Sequence, residues 1–465
     1  MTTTTATTTH RGPALRGSGL AVLLAGQTMA SMDGSIVTVA LQTIRVGLGA
    51  DDAALQLIVS GYILTMGVLI VTCARIGDLV GHRRAFLAGL AAFTAASLLC
   101  GAAPTPYALV GARIVQGAGA ALMIPQVFSL IQLGYDGEAR KRAIGAYSMV
   151  LALGVALGQV LGGLIVGADL FGLGWRPAFL VNVPVGIALL AAGPRLLPPV
   201  PRPEPARLDL PGVAVLTFAM TALIAPLILG REHGWQPWTW ASLGAGAAGL
   251  VLFAAVERRV AAPVLDLGSL RAPGMKAGLL ACFLVMGCYT AFLFALTLHL
   301  QDGLGYSPLR AGVFFLPYAV GFGVLGMTWT RLPARWQQTL PVLGPPVLAA
   351  AAAAVVWLPS DGRPGAAAVP LLMVAGAGHA AGYSPLIARL SALVGPSYAS
   401  ALSAFNSTGT MLASVLGVAT LGGLFVEAPT TGDGLRLVVG LSAGLLAVTA
   451  LCAQRVRWAT GRGPR

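Results

Sequence analysis

Apolar residues fall into fourteen long runs along this chain, separated by short polar stretches that carry nearly all of its charge. A helix rises 1.5 Å per residue, so about 20 apolar residues cross a hydrocarbon core roughly 30 Å thick. Within lipid the backbone must satisfy its own hydrogen bonds, which makes such runs helices. The predicted spans lie at about 18–42, 53–73, 85–104, 107–134, 143–167, 177–197, 210–229, 240–257, 276–299, 309–328, 339–358, 367–390, 400–424 and 435–454. The seventh and eighth are short, and the break between the third and fourth rests on Pro104-Thr105-Pro106.

Spans one to six fill 18–197 and spans nine to fourteen fill 276–454, two blocks of equal length. Between them, 198–275 is a linker holding two further spans, opened by the Pro/Arg-rich run Pro198–Pro205. Short tails, 1–17 and 455–465, complete the chain. The expected fold class is an all-α integral membrane protein of 14 transmembrane helices, two six-helix bundles plus two central helices. Six-helix halves with a site between them are a recurring transporter plan. No loop is long enough for a folded soluble domain, so the chemistry must lie within the membrane or on short loops.

Charge tests the spans independently. Of the 29 Lys and Arg residues, 22 lie on the N-terminal side. Only Arg45, Arg176, Arg231, Arg310, Arg363 and Arg436 fall on the opposite side, and Arg113 alone lies inside a span away from its ends. Positive loops face the cytoplasm, so both termini are expected there, in a bacterial inner membrane. The net charge of +13 is spread thinly over these loops rather than gathered on one face, which fits anionic lipid head groups and gives no nucleic-acid partner. The five cysteines lie in or beside apolar runs without metal spacing and predict neither a metal site nor disulfides. The first span is full length, so no cleavable signal peptide is expected.

Ionisable groups within hydrocarbon are costly and point to function. Asp33 in the first span, Arg113 in the fourth and His379 in the twelfth are such groups. Asp33 lies ~22 Å from the cytoplasmic entry of its helix and Arg113 ~9 Å from the external entry of its own. Both fall in the outer half of the core, where an acid and a base can face one cavity and hold each other charged. A carboxylate poised between a desolvating environment and a cation can take up or release a proton as the cavity opens to either side. His379, among Gly376, Gly378 and Gly382, reads as a packed or water-bonded side chain.

Several segments resemble the major facilitator superfamily. Ala74–Arg84, between spans two and three, is similar to its loop motif through Gly77, Asp78, Gly81, Arg83 and Arg84; Ala74, Leu79 and His82 depart from it. The resemblance implies that Asp78 braces a helix end in one conformation. Arg113-Ile114-Val115-Gln116-Gly117-Ala118-Gly119 with Pro125 resembles the fourth-helix motif, whose arginine is implicated in proton transfer. Gln116 and Gly117 share the face of Arg113. Gly154, Gly158, Gly162 and Gly163 match the antiporter motif of span five, with Gln159 replacing its proline.

Met32–Leu41, Trp175-Arg176-x-x-Phe179-x-x-Asn182 and Gln301–Pro317 resemble segments of the fourteen-helix drug:proton antiporters within that superfamily; Gln42 and Leu57 depart from their usual residues. The resemblance covers nearly the whole chain. It implies a proton-coupled antiporter that exports amphipathic drugs or antibiotics by alternating access, with Asp33, Arg113 and Gln116 in proton coupling or substrate contact. The proton gradient stands where a cofactor would. A lone deep acid favours a neutral, monocationic or anionic natural product over dications. A monomer in lipid is expected. A proton-coupled importer of a small solute would share the fold. A membrane-embedded enzyme would need converging nucleophiles, acids or metal ligands, and the sequence groups none.

Overall fold

The computed structural model describes residues 15–169, 172–198, 210–230, 234–260, 267–358, 365–394 and 398–461. The start of the N-terminal tail, the Pro/Arg-rich run from 199 to 209, the loop arginines Arg231 and Arg363, and the tail from 462 lie outside the described residues.

Among the described residues the chain is helical and contains no strand. The helices are α1 (Gly17–Leu48), α2 (Asp52–Val80), α3 (His82–Ala102), α4 (Pro106–Gly134), α5 (Gly137–Gly167), α6 (Pro177–Leu180), α7 (Asn182–Leu196), α8 (Leu210–Leu229) and α9 (Pro237–Glu257). They continue with α10 (Met275–Leu298), α11 (Pro308–Phe314), α12 (Leu316–Thr328), α13 (Ala334–Trp357), α14 (Ala368–Leu393), α15 (Ala399–Gly417), α16 (Gly423–Glu427) and α17 (Thr431–Gly461). Three of the expected spans are broken: the sixth into α6 and α7, the tenth into α11 and α12, the thirteenth into α15 and α16 around a π-helical turn.

Local chemistry sets the boundaries. Asp51 caps α2 by accepting from the Ala54 amide at 2.8 Å, and Thr105 caps α4 with Pro106 in its first turn. Gly81 separates α2 from α3 at φ 93°, a conformation that disfavours any residue with a Cβ.

Among the described residues, twelve helices are long and apolar enough to cross a membrane. Against the fourteen expected, the two segments outside this set are shorter apolar stretches, Leu157–Gly167 within α5 and Pro211–Leu227 within α8. The first two turns of α5 carry Glu138, Arg140, Lys141 and Arg142, which places its apolar part toward its C-terminal end.

Two sets of helices pack mainly among themselves. In one, α3 and α2 lie on α4, and α5 lies on α1; in the other, α13 and α12 lie on α14, and α10 and α13 lie on α17. They meet where α5 contacts α11 and α12, and where α15 contacts α2 and α4. Helix α8 pairs with α9 and leans on α2 and α15. In lipid, close packing replaces the hydrophobic effect as the force between helices, so small residues mark the contacts. A Cβ on Gly119 would come 2.6 Å from the Phe93 amide nitrogen of α3, and one on Gly378 would come 2.6 Å from the Leu348 amide nitrogen of α13. At the C-terminal end of α4, Ser403 of α15 donates to the Pro125 carbonyl at 2.7 Å, and Ser391 of α14 donates to Gln132.

Candidate functional site

Asp33 lies in the middle of α1, 0% exposed, surrounded by donors from two other helices. Arg113 of α4 donates Nη1 to its Oδ2. Gln116, one turn after Arg113, donates Nε2 to its Oδ1 at 2.8 Å, and Asn182, the first residue of α7, donates Nδ2 to the same oxygen at 2.9 Å. The carboxylate thus accepts from one cation and two amides. This saturation is what allows a charge to persist away from water.

The donors are themselves held. Arg113 also donates Nη1 to Gln116 Oε1 at 2.7 Å and Nε to the Ile58 carbonyl of α2 at 3.1 Å. Its guanidinium carbon lies 4.2 Å from the centroid of the Tyr62 ring and 5.7 Å from that of Phe179, so two aromatic faces enclose the cation. Gln116 Nε2 donates to Ser97 Oγ of α3 at 2.9 Å. Tyr62 donates to the Ala30 carbonyl of α1 at 3.3 Å. Side chains or carbonyls of α1, α2, α3, α4 and α7 therefore converge on one buried acid-base cluster.

The structure brings Asp33, Arg113 and Gln116 into direct contact. Sequence reasoning missed Asn182, Tyr62 and Ser97 as members. The Trp175–Asn182 segment supplies several of these contacts. Arg176 donates to the Gly101 and Ala103 carbonyls at the end of α3, both at 2.9 Å, Phe179 covers Arg113, and Asn182 reaches Asp33. A usable signal was present, because the chain contains only two asparagines, Asn182 and Asn406, and both lie in apolar spans.

The other helix-four positions are structural neighbours of this cluster. Gly117 lets α4 approach the Tyr62 carbonyl of α2, where a Cβ would come within 2.6 Å, and Gly119 does the same against α3. Pro125 lies further along α4, where its carbonyl takes the bond from Ser403.

The glycines of α5 divide between two faces. Cβ atoms on Gly154 and Gly158 would strike Ser31, Ser35 and the Met32 carbonyl, and one on Gly162 would come 3.0 Å from Ile36, all on α1. Gly163 and Gln159 face the other way, toward Leu309 and Gly312 of α11. Helix α5 is thus wedged between α1, one residue from Asp33, and the second set of helices.

The loop motif forms a separate cluster. Asp78 accepts from Arg75 at 3.1 Å and pairs with His82 Nε2 at 3.4 Å, while His82 Nδ1 bonds Gln126 Oε1 of α4 at 2.8 Å. Gln126 in turn donates to the Cys73 carbonyl at 2.8 Å. Gly77 leaves room for Gln126 and His82, where a Cβ would collide with both. Arg83 donates to the Pro194 carbonyl of α7, and Arg84 is exposed. The link from Asp78 to α4 runs through His82, one of the residues that depart from the family pattern.

Solved structures share this architecture. The human organic anion transporter MFSD10 matches with a TM-score of 0.65 at 16% identity, over 94% of this chain and 99% of that one. Among sequence relatives, a probable actinorhodin transporter of Streptomyces coelicolor is 40% identical over 69% of this chain, and the match spans 57% of that relative's length. The cephamycin export protein CmcT of Amycolatopsis lactamdurans is 36% identical over 84% of this chain and 81% of its own length. The puromycin resistance protein pur8 of Streptomyces alboniger is 34% identical over 94% of this chain and 90% of its own. Residues 23–418 match the model of one family, so the chain belongs to the Major Facilitator Superfamily, whose members are membrane transporters rather than enzymes.

Proposed function

We propose that the protein is a proton-coupled antiporter that exports amphipathic drugs or antibiotics across the cytoplasmic membrane by alternating access. In this reading α5 and α8 also cross the bilayer, giving fourteen spans. Residues 18–197 and 276–454 form two six-helix bundles, with α8 and α9 between them and both termini in the cytoplasm. The observation that carries the reading is the Asp33 carboxylate, buried in an apolar helix and held by Arg113, Gln116 and Asn182. Relatives whose names describe antibiotic export or resistance support the direction and the substrate class.

The cluster couples proton to conformation through charge balance. While Asp33 is ionised, Arg113 is neutralised and α1, α4 and α7 are drawn together around one carboxylate. Protonation removes that charge, leaves the buried guanidinium without its counter-ion and weakens the tie among the three helices. Substrate entering from the cytoplasm and protons entering from outside then compete for opposite states of the same cluster, and this competition is what antiport requires. The ties from Ser403 to Pro125 and from Ser391 to Gln132 lie at the cytoplasmic end in this topology and fit a conformer closed on that side.

Accumulation of fluorescent drugs in cells provides the test. Cells expressing the protein are expected to retain less drug than control cells, and a protonophore is expected to abolish the difference. A difference that survives collapse of the proton gradient contradicts proton coupling, and equal retention for every compound contradicts export.

A further inference from the structure

A second buried polar side chain lies in the other set of helices. His379 of α14 is 1% exposed and lies ~17 Å from the start of its helix, near the middle of its length. Four aromatic rings from three helices surround it. Tyr289 of α10 and Phe322 of α12 each approach to 4.6 Å between ring centroids, Phe322 edge-on, while Tyr318 and Tyr383 lie at 6.1 and 6.3 Å. Tyr318 bonds His379 Nδ1 at 2.9 Å. The other ring nitrogen, Nε2, is buried and has no partner among the described residues.

That orphan nitrogen separates this cluster from ordinary aromatic packing. A phenol donates more readily than it accepts, so Tyr318 selects the tautomer in which Nδ1 accepts and Nε2 carries the hydrogen. A buried N–H without an acceptor is costly, and native structures rarely keep one. A phenylalanine at 379 would fill the same ring contacts without that cost. The cluster also reaches the contact between the two helix sets. Tyr383, four residues after His379, donates to Asn406 of α15 at 3.0 Å, and α15 is a helix that contacts α2 and α4 of the first set.

We infer that the cluster around His379 is a binding subsite for a flat aromatic molecule bearing a carbonyl or phenolic oxygen on its edge. The rings offer faces and edges for offset stacking and T-shaped contact, and Nε2–H supplies one directional bond to the oxygen. The ligand replaces Tyr289 or Phe322 against the imidazole when α10 or α12 shifts relative to α14. The subsite rests on the export reading, since it gives that transporter a place to hold substrate.

Equilibrium dialysis of the purified full-length protein in detergent tests the subsite without a proton gradient. The probes are alizarin, a planar hydroxyanthraquinone, and ethidium, a planar cation with no oxygen. Wild type is expected to bind alizarin saturably. His379→Phe is expected to weaken alizarin about fivefold or more, the effect of deleting one buried hydrogen bond, and to leave ethidium unchanged. Unchanged alizarin affinity, an equal fall for both probes, or no saturable alizarin binding by wild type would each overturn the inference. Should His379→Phe not fold, Tyr318→Phe frees Nδ1 and is expected to weaken alizarin by about twofold or more; no change there overturns it as well. Loss of proton coupling with binding intact would sink antiport alone.

Discussion

Arg113 reaches across 80 residues of sequence to donate to Asp33, from a side chain 1% exposed to one 0% exposed. Removing one member of a buried ion pair strands the other. Asp33→Asn and Arg113→Gln are each expected to cost about 3–5 kcal/mol of stability. The double variant leaves no unpaired charge and is expected to cost much less than the sum of the two. Thermal unfolding of the four proteins in detergent measures this. Additive losses would mean that the two side chains do not sense each other.

Lysine cannot replace the fork of Arg113. The guanidinium serves Asp33, Gln116 and the Ile58 carbonyl at once while lying against the Tyr62 ring. A lysine ammonium keeps the charge but has neither the planar geometry nor the reach for all of these contacts. Arg113→Lys is therefore expected to fold and to lose export by about tenfold or more, a penalty of one to two charge-assisted bonds. Transport within twofold of wild type would reduce the arginine to a simple counter-charge.

How much of this was readable in advance follows from what each feature depends on. Span positions depend on long stretches of composition, and among the described residues twelve helices long and apolar enough to cross a membrane stand against the fourteen runs expected. Asp33 and Arg113 were legible because charge is rare in hydrocarbon, and depth along a helix is simple arithmetic. Gln116 followed from the spacing on one helix face. Asn182 did not, because its role depends on how α7 is rotated against α1, and no single-helix periodicity encodes that. The interruption at Val181 that starts α7 with Asn182 was equally hidden. Asp78 illustrates a different limit. Its partners Arg75 and His82 lie within four residues of it in sequence, and the motif reaches α4 through a histidine at a position where the motif led us to expect another residue.

The glycine faces of α5 make a contrast that a stability measurement can read. A methyl group on Gly158 would drive into Ser35 and the Met32 carbonyl, whereas one on Gly34 would meet nothing within 4 Å. Gly158→Ala is expected to cost about 1–3 kcal/mol through overpacking next to Asp33 and to impair export. Gly34→Ala is expected to be neutral or slightly stabilising, as alanine is the better helix former. The reverse order would show that the α1–α5 contact is looser than described.

The ties at the C-terminal end of α4 predict a conformational bias. Each of Ser403→Ala and Ser391→Ala removes one hydrogen bond between the helix sets. At a net value of about 0.5–1.5 kcal/mol per bond, each is expected to shift a two-state equilibrium about two- to tenfold toward the cytoplasm-open form. Distances between spin labels on α4 and α14 would report the shift. An unchanged distribution in the double variant would show that other contacts close this end.

Proton movement in inside-out vesicles tests the central claim most directly. With a lumenal pH dye and an acidified lumen, adding an exported compound is expected to raise lumenal pH for wild type and to leave it unchanged for Asp33→Asn, with the mutant shown to be folded. Equal substrate-evoked proton release from both proteins would remove Asp33 from the coupling mechanism and contradict the account.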